Sequence, residues 1–198
     1  MNLWSPEKEY TDKGYKVICG VDEAGRGALA GPVYSAAVIL PANIDIPGLN
    51  DSKKLSEDKR SKLYDEIKKV SLAYFIAKAE HDEIDEINIL NATYLAMNRA
   101  IEGLKIKPYI SLIDGNQNSG IKHNNACIIG GDGKSASIAA ASILAKVCRD
   151  RYMIDISQKY NEYMFEKHKG YGTKLHYEKL RKFGPSEIHR ATFLKRLH

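Results

Sequence analysis

The chain has few cysteines, no long apolar run and no internal repeat, and each shortage removes a class of protein. Cys19, Cys127 and Cys148 are odd in number and far apart, so neither a disulfide framework nor a paired-cysteine metal site is expected, and buried thiols are the simplest reading. No stretch approaches the roughly 18 uninterrupted apolar residues of a membrane span, and the opening MNLWSPEKEYTDKGYK is too charged for a secretory signal. A cytoplasmic protein without membrane contact is the expectation. With 198 residues and 43% hydrophobic composition, the chain suits one globular unit able to bury a real core.

Charge is present but unevenly placed. The formal net charge is +5, and residues 161–198 carry all of it, with nine Lys/Arg against four Asp/Glu. His168, His176, His189 and His198 lie in the same tail, which suits an anionic partner such as a nucleic acid backbone. Charge alone slightly favours a solvated surface.

Short apolar runs predict strands near 16–22, 33–40, 72–79, 109–113 and 126–129. Helices are expected over 56–70, 84–104, 174–183 and Glu187–Leu197, and a long alanine-rich helix from Ser135 is the central one. Strands mixed with helices indicate an α/β layered domain.

The informative pattern is where the acids sit. KVICGV ends at Asp22, YISLI ends at Asp114, and ACIIGG ends at Asp132. If the first and fourth strands are parallel, their carboxyl ends share a sheet edge where such folds place active sites. Glu23 would be a fourth acid, and because successive strand residues face opposite ways, it joins Asp22 only if strand geometry breaks there. Gly25 and Gly27 make such a break plausible. For Asp132 alone, just before Ser135, a helix-capping role is favoured; the repeated placement after strands shifts the balance toward a site.

Two unit charges about 4 Å apart repel by roughly 4 kcal/mol even at a screened effective dielectric. A cluster of carboxylates therefore takes up protons or cations. An all-oxygen set favours two Mg²⁺ or Mn²⁺ ions over zinc, and such a pair clamps the attacking and leaving oxygens of a phosphodiester displacement.

Two phosphate-loop patterns fail. Gly25, Gly27 and Ala30 match a dinucleotide fingerprint formally, but Pro32 and VYSAAVIL begin a strand where that fingerprint needs a helix, and two acids precede the loop. GGDGKS at 130–135 lacks the first glycine of a P-loop, since Ile128 stands there.

DEAGRG followed by AGPV, DSKKLS at 51–56, IDG at 113–115, SIAAASILAKVCRD and HKGYGT, in this order, resemble bacterial ribonuclease HII from about Lys16 to Lys195. The resemblance implies a ribonuclease H-like mixed β-sheet flanked by helices, with residues 1–160 as catalytic core and 161–198 as a basic helical extension packed on it. It implies that Asp22, Glu23, Asp114 and Asp132 bind two divalent ions, Mg²⁺ or Mn²⁺. It also implies that Gly25, Arg26 and Gly27 sense a ribose 2′-hydroxyl, and that Tyr171 packs on the nucleotide beside an RNA–DNA junction. Read without the family, Tyr171 between glycines suits a stacking face or a buried anchor equally, and Arg26 has a surface ion pair with Glu23 as its plainer role. Lys53 matches a phosphate-touching element, with softer assignments for Lys54 and Lys146.

The implied activity is an endonuclease that cuts RNA in RNA–DNA hybrids and the bond 5′ of ribonucleotides in duplex DNA, leaving 3′-hydroxyl and 5′-phosphate ends. A two-metal site needs no general-base histidine, so His168 and His176 are expected at the surface or near phosphates. HDEIDE at 81–86 reads as a solvated helix start. Tyr34 stands where the family carries a small or aliphatic residue. A monomer is expected, and the terminal KRLH forms no convincing replication-clamp peptide.

Overall fold

The computed structural model describes residues 3–49 and 55–195. Asp51, Lys53 and Lys54 of the DSKKLS element, and the last three residues, lie outside them.

Five strands form one mixed sheet: β1 (Ile18–Ala24), β2 (Val33–Ile39), β3 (Ala73–Ala79), β4 (Ile110–Asp114) and β5 (Asn125–Ile128), in the order β3-β2-β1-β4-β5. β2 runs antiparallel to β1 and β3, whereas β4 and β5 run parallel to β1. The strands follow the apolar runs of the sequence, and VYSAAVIL does continue as a strand.

Side-chain alternation divides the sheet into two faces. Cys19, Val21, Ala37 and Ile39 pack with Tyr94, Met97 and Ile101 of α3 (His81–Glu102) and with Leu104 just beyond it. Ala36 and Val38 pack with α2 (Glu57–Val70) and with the central helix α4 (Ala136–Ser157). Gly20 faces α4 directly: a Cβ there would sit 2.1 Å from the Ser137 carbonyl carbon. Small residues on both surfaces thus let α4 lie against β1, with Ser137 beside Gly20 and Ser142 beside Asp22.

Helix ends carry identifiable caps. Ser56 accepts from the Lys59 amide at the start of α2, and Ser135 accepts from the Ile138 amide at the start of α4. α3 starts at His81, in the HDEIDE run read as a helix start, where Glu80 and Glu83 close a capping box. It is interrupted at Asn88, in left-handed backbone with φ 66°, whose side chain accepts from the amides of Leu90 and Asn91. Two helices fall outside the sequence expectation, the short α5 (Phe165–His168) and α1 (Ser5–Asp12); α1 is the longer of them. Its buried Glu7 receives the Ser135 and Ser137 hydroxyls and the Ser137 amide through Oε1, at 2.6–2.9 Å. An anion at the positive end of α4 offsets the helix dipole.

The C-terminal segment folds back onto α4 through α5 (Phe165–His168), α6 (Lys174–Phe183) and α7 (Ala191–Leu194). Leu29, Met153, Tyr160, Tyr163, Phe165, Leu180 and Ile188 form its apolar cluster. Of the amphipathic piece expected over Glu187–Leu197, Ala191–Leu194 is helical as α7, since Ile188, His189 and Arg190 are spent on backbone pairing with residues 29–31. Asp85 of the HDEIDE run holds α7, accepting from the Ala191 and Thr192 amides and the Thr192 hydroxyl. Tyr34 packs against Tyr152, their ring centroids 6.0 Å apart.

Candidate metal centre and recognition groove

Parallel pairing of β1 with β4 decides the first part of the site. Val21 lies opposite Ile113, so the next residues, Asp22 within β1 and Asp114 at the end of β4, lie at one level on neighbouring strands. The chain after β5 turns through Gly130 in left-handed backbone into a 3-10 turn, Gly131–Gly133, which carries Asp132. The Gly131 amide donates to Asp114 Oδ1 at 2.6 Å, and a Cβ on Gly131 would meet Ile138 at 2.5 Å. Glycine leaves room there for the Ile138 side chain and the Asp114 carboxylate.

Carboxylate oxygens of Asp22, Asp114 and Asp132 lie within 4.8 Å of one another. Asp22 and Asp132 are buried. Burial, then the charges of Glu23 and Asp114, push the Asp22 carboxyl well above the usual carboxylate range, against hydrogen bonds from Ser142 and the Glu23 amide. A buried group held away from its charged form by like charges suits a cation. With oxygen donors alone, the set fits a hard divalent ion such as Mg²⁺ or Mn²⁺.

Glu23 arrives differently from the expectation. β1 does not break between Asp22 and Glu23: the pairing with β2 continues through Glu23 with Ser35 and Ala24 with Tyr34. The break comes at Gly25, whose φ is +100°. Glu23 thus lies outside the tight trio but lines the same groove, and its Oε1 takes Arg26 Nη1 at 3.2 Å, the ion pair that had been the plainer role for Arg26.

That groove, about 350 Å³, is lined by Asp22, Glu23 and Asp114 together with Gly25, Arg26, Gly27 and Tyr171. Ser142 and Lys146 complete it. Lys146 pairs with Asp150 at 2.8 Å. Tyr171 is half-buried, held by a bridge to Ala28, and its ring lies 5.0 Å from the Arg149 guanidinium and 5.6 Å from the Lys146 ammonium.

Two buried arginines build the glycine loop from below, and sequence reading missed both. Arg149 donates to the carbonyls of Ala30, Pro32 and Lys169. Arg190 donates to those of Gly25, Arg26 and Gly31 at 2.8–2.9 Å. Burial, with Arg149 nearby, pulls the Arg190 guanidinium down to about 9, still a cation at neutral pH. Their planar forks satisfy carbonyls that a turn leaves unpaired. A lone charged residue in CRD or HRATF carries no sign that it points inward. The histidines correct a further expectation: His168 and His176 are buried behind Tyr171, not at the surface, and His189 is buried with them.

A family model described as Ribonuclease HII matches residues 19–197. The chain belongs to the ribonuclease HII family. The ribonuclease HII of Caldicellulosiruptor bescii is 57% identical over 196 residues, covering 99% of this chain and 95% of that one. Among solved structures, ribonuclease H2 from Pyrococcus horikoshii OT3 superposes with a TM-score of 0.73 at 28% identity, covering 89% of this chain and 93% of that one. The PCNA:RNase HII complex from Archaeoglobus fulgidus gives 0.71 at 25% identity, covering 88% and 94%. These likenesses establish the ribonuclease H-like fold and make this ribonuclease HII family chain a hydrolase, an endonuclease of the ribonuclease H class that depends on divalent metal. Among the described residues, no helix is long and apolar enough to cross a membrane.

Proposed function

We propose that the chain cuts RNA in RNA–DNA hybrids and hydrolyses the phosphodiester 5′ of a ribonucleotide embedded in duplex DNA, leaving 3′-hydroxyl and 5′-phosphate ends. The observation that carries this reading is one groove lined both by carboxylates and by the Gly25–Gly27 loop with Tyr171. A site built this way inspects the sugar within reach of the bond it breaks.

In this reading Asp22, Glu23, Asp114 and Asp132 hold two divalent ions, Mg²⁺ or Mn²⁺. When bound, the ions supply an activated water and charge neutralisation for an in-line displacement. The protein's own groups set the rest. Asp22 and Asp114 are fixed by the strand register, and Asp132 by the turn whose amide grips Asp114. Arg26 and Gly27 are exposed, and a Cβ on Gly27 would meet no protein atom within 4 Å. Space left open by the protein at a groove wall lets a backbone amide or carbonyl approach a 2′-hydroxyl, the group that separates RNA from DNA. Tyr171 supplies the stacking face, and Lys53 and Lys146 give phosphate contacts that position the duplex.

We read residues 1–160 as the core and 161–198 as its extension, because the latter completes the recognition wall. The reading takes a monomer; the clamp present in the Archaeoglobus fulgidus complex enters it only as a second partner, outside the groove.

A duplex with one embedded ribonucleotide, compared with an all-DNA duplex in Mg²⁺ or Mn²⁺, tests the proposal. A single nick on the 5′ side of the ribonucleotide, and none in the all-DNA duplex, is expected. Equal cutting of both removes the sugar specificity.

A further inference from the structure

Behind Tyr171, three histidine rings share one buried cluster. His168 and His176 stack with centroids 4.3 Å apart, and His176 Nε2 lies 3.0 Å from His189 Nε2. Phe165 and Tyr163 enclose them. The partners of the six ring nitrogens fix every tautomer. His189 Nδ1 receives the Ser186 amide at 2.8 Å, so its proton is on Nε2 and donates to His176 Nε2. With Nε2 accepting, His176 carries its proton on Nδ1 and donates to the Tyr171 carbonyl at 3.0 Å. His168 Nδ1 receives the Gly170 amide, and its Nε2 donates to the Tyr163 carbonyl at 2.9 Å.

The result is a one-way chain from the Ser186 amide through His189 and His176 to Tyr171. Two imidazoles joined nitrogen to nitrogen need one donor and one acceptor, so with His189 Nδ1 accepting from Ser186 the neutral pair holds one direction. Burial and the neighbouring histidines hold both His176 and His189 near a pKa of about 4, so the chain stays neutral at neutral pH. An apolar filler would pack here without the cost of buried polar groups. The next residue, Arg190, grips the carbonyls of Gly25 and Arg26. The His189–Arg190 pair therefore reaches both parts of the recognition wall, the glycine loop and the tyrosine.

We propose that His189 and His176 are positioning residues for the reaction, a directional hydrogen-bond relay that sets the Tyr171 backbone and so the ring that meets the nucleotide. This rests on the reading of Tyr171 given above.

The test uses the full chain and the single-ribonucleotide duplex. His176→Phe keeps the ring and removes the donor, and should lower kcat/KM about tenfold, the value of one hydrogen bond of roughly 1.4 kcal/mol. His176→Asn, which can place an amide N–H where Nδ1 was, should recover most of that loss. In a Tyr171→Ala background, His176→Phe should add less than about twofold, because the interaction it serves is already gone. A merely structural role gives independent, multiplying losses and no recovery by Asn, and overturns the proposal. Tyr171→Ala leaving cleavage unchanged overturns the reading of Tyr171 and the relay with it; a Tyr171 effect with His176→Phe silent overturns the relay alone. Should the His176 variants not fold, nitrogen-15 correlation spectra of wild-type imidazoles decide. Protons on His176 Nδ1 and His189 Nε2 support the relay, and any other assignment ends it.

Discussion

The acidic edge and the C-terminal scaffold behind it handle buried polarity in opposite ways. At the edge, Asp22, Asp114 and Asp132 crowd like charges within 4.8 Å, and Asp22 is held above the usual carboxylate range. Behind it, two buried arginines and three buried histidines have their fixed roles answered by carbonyls, amides or one another. Net stabilisation comes from the second arrangement and a demand for cations from the first. The difference separates what the fold keeps for function from what it uses to stay folded.

Removing charge at the edge should give the largest effect and of mixed sign. Asp22→Asn keeps an oxygen for the Glu23 amide, now at 2.7 Å from Oδ1, and removes the repulsion. Cleavage with Mg²⁺ should fall by at least about 10³-fold, several kcal/mol of lost transition-state stabilisation. In chelator the same variant should melt a few degrees higher than wild type, about 1 kcal/mol. Wild type alone should gain stability when Mg²⁺ or Mn²⁺ is added. A variant that melts lower in chelator would place Asp22 with the scaffold.

The scaffold should show the reverse. Arg190→Met strands the carbonyls of Gly25, Arg26 and Gly31, at a cost of about 3–5 kcal/mol in urea unfolding. Arg190→Lys should recover little, because one ammonium cannot replace a planar fork. A midpoint shift with unchanged denaturant slope is the expected signature.

These two regions also differ in how well the sequence announces them. The carboxylates are legible because strand ends are: apolar runs stop at Asp22 and Asp114, and a parallel pairing brings them together. The sheet and the central helix follow from the same periodicity. Glu23 was placed less well, since nothing in DEAGRG shows whether the strand stops before or after Glu23, and only the β2 pairing keeps it regular to Ala24. The scaffold is nearly illegible. Arg149, Arg190, His176 and His189 are polar residues in polar neighbourhoods, and their burial depends on carbonyls from loops distant in the chain. α1 escaped notice because its value lies in Glu7, whose partners are some 130 residues away.

Acid should weaken the scaffold by a smaller amount. His176 and His189 bind protons near 6.5 when unfolded and near 4 when folded. Between these values the unfolded chain holds more protons, so stability falls as pH drops from 6.5 and levels below about 4. His168 on α5 and His81 at the start of α3 add to the depression by like charge. Each group's share is on the order of 3 kcal/mol. Melting temperature against pH for wild type and His176→Phe measures it, and the variant should show the shallower fall. Parallel curves would assign the acid sensitivity elsewhere.

The smallest effect on folding tests whether the glycine loop belongs to the function or to the scaffold. Gly25 and Gly27 look alike in sequence but not in the structure. Gly25 has φ +100°, and a Cβ there would lie 2.0 Å from Arg149 Nε, so Gly25→Ala should cost stability through both strain and clash. Gly27 has ordinary backbone and open space around it, so Gly27→Ala should change stability by less than about 0.5 kcal/mol. Cleavage at an embedded ribonucleotide should nevertheless fall about tenfold or more if the open space is reserved for the sugar, a loss the size of one mispositioned hydrogen bond or greater. A Gly27→Ala enzyme with both wild-type melting and wild-type cleavage would show that only Gly25, gripped by the arginines, requires a glycine, and that recognition of the sugar rests on Arg26 and Tyr171.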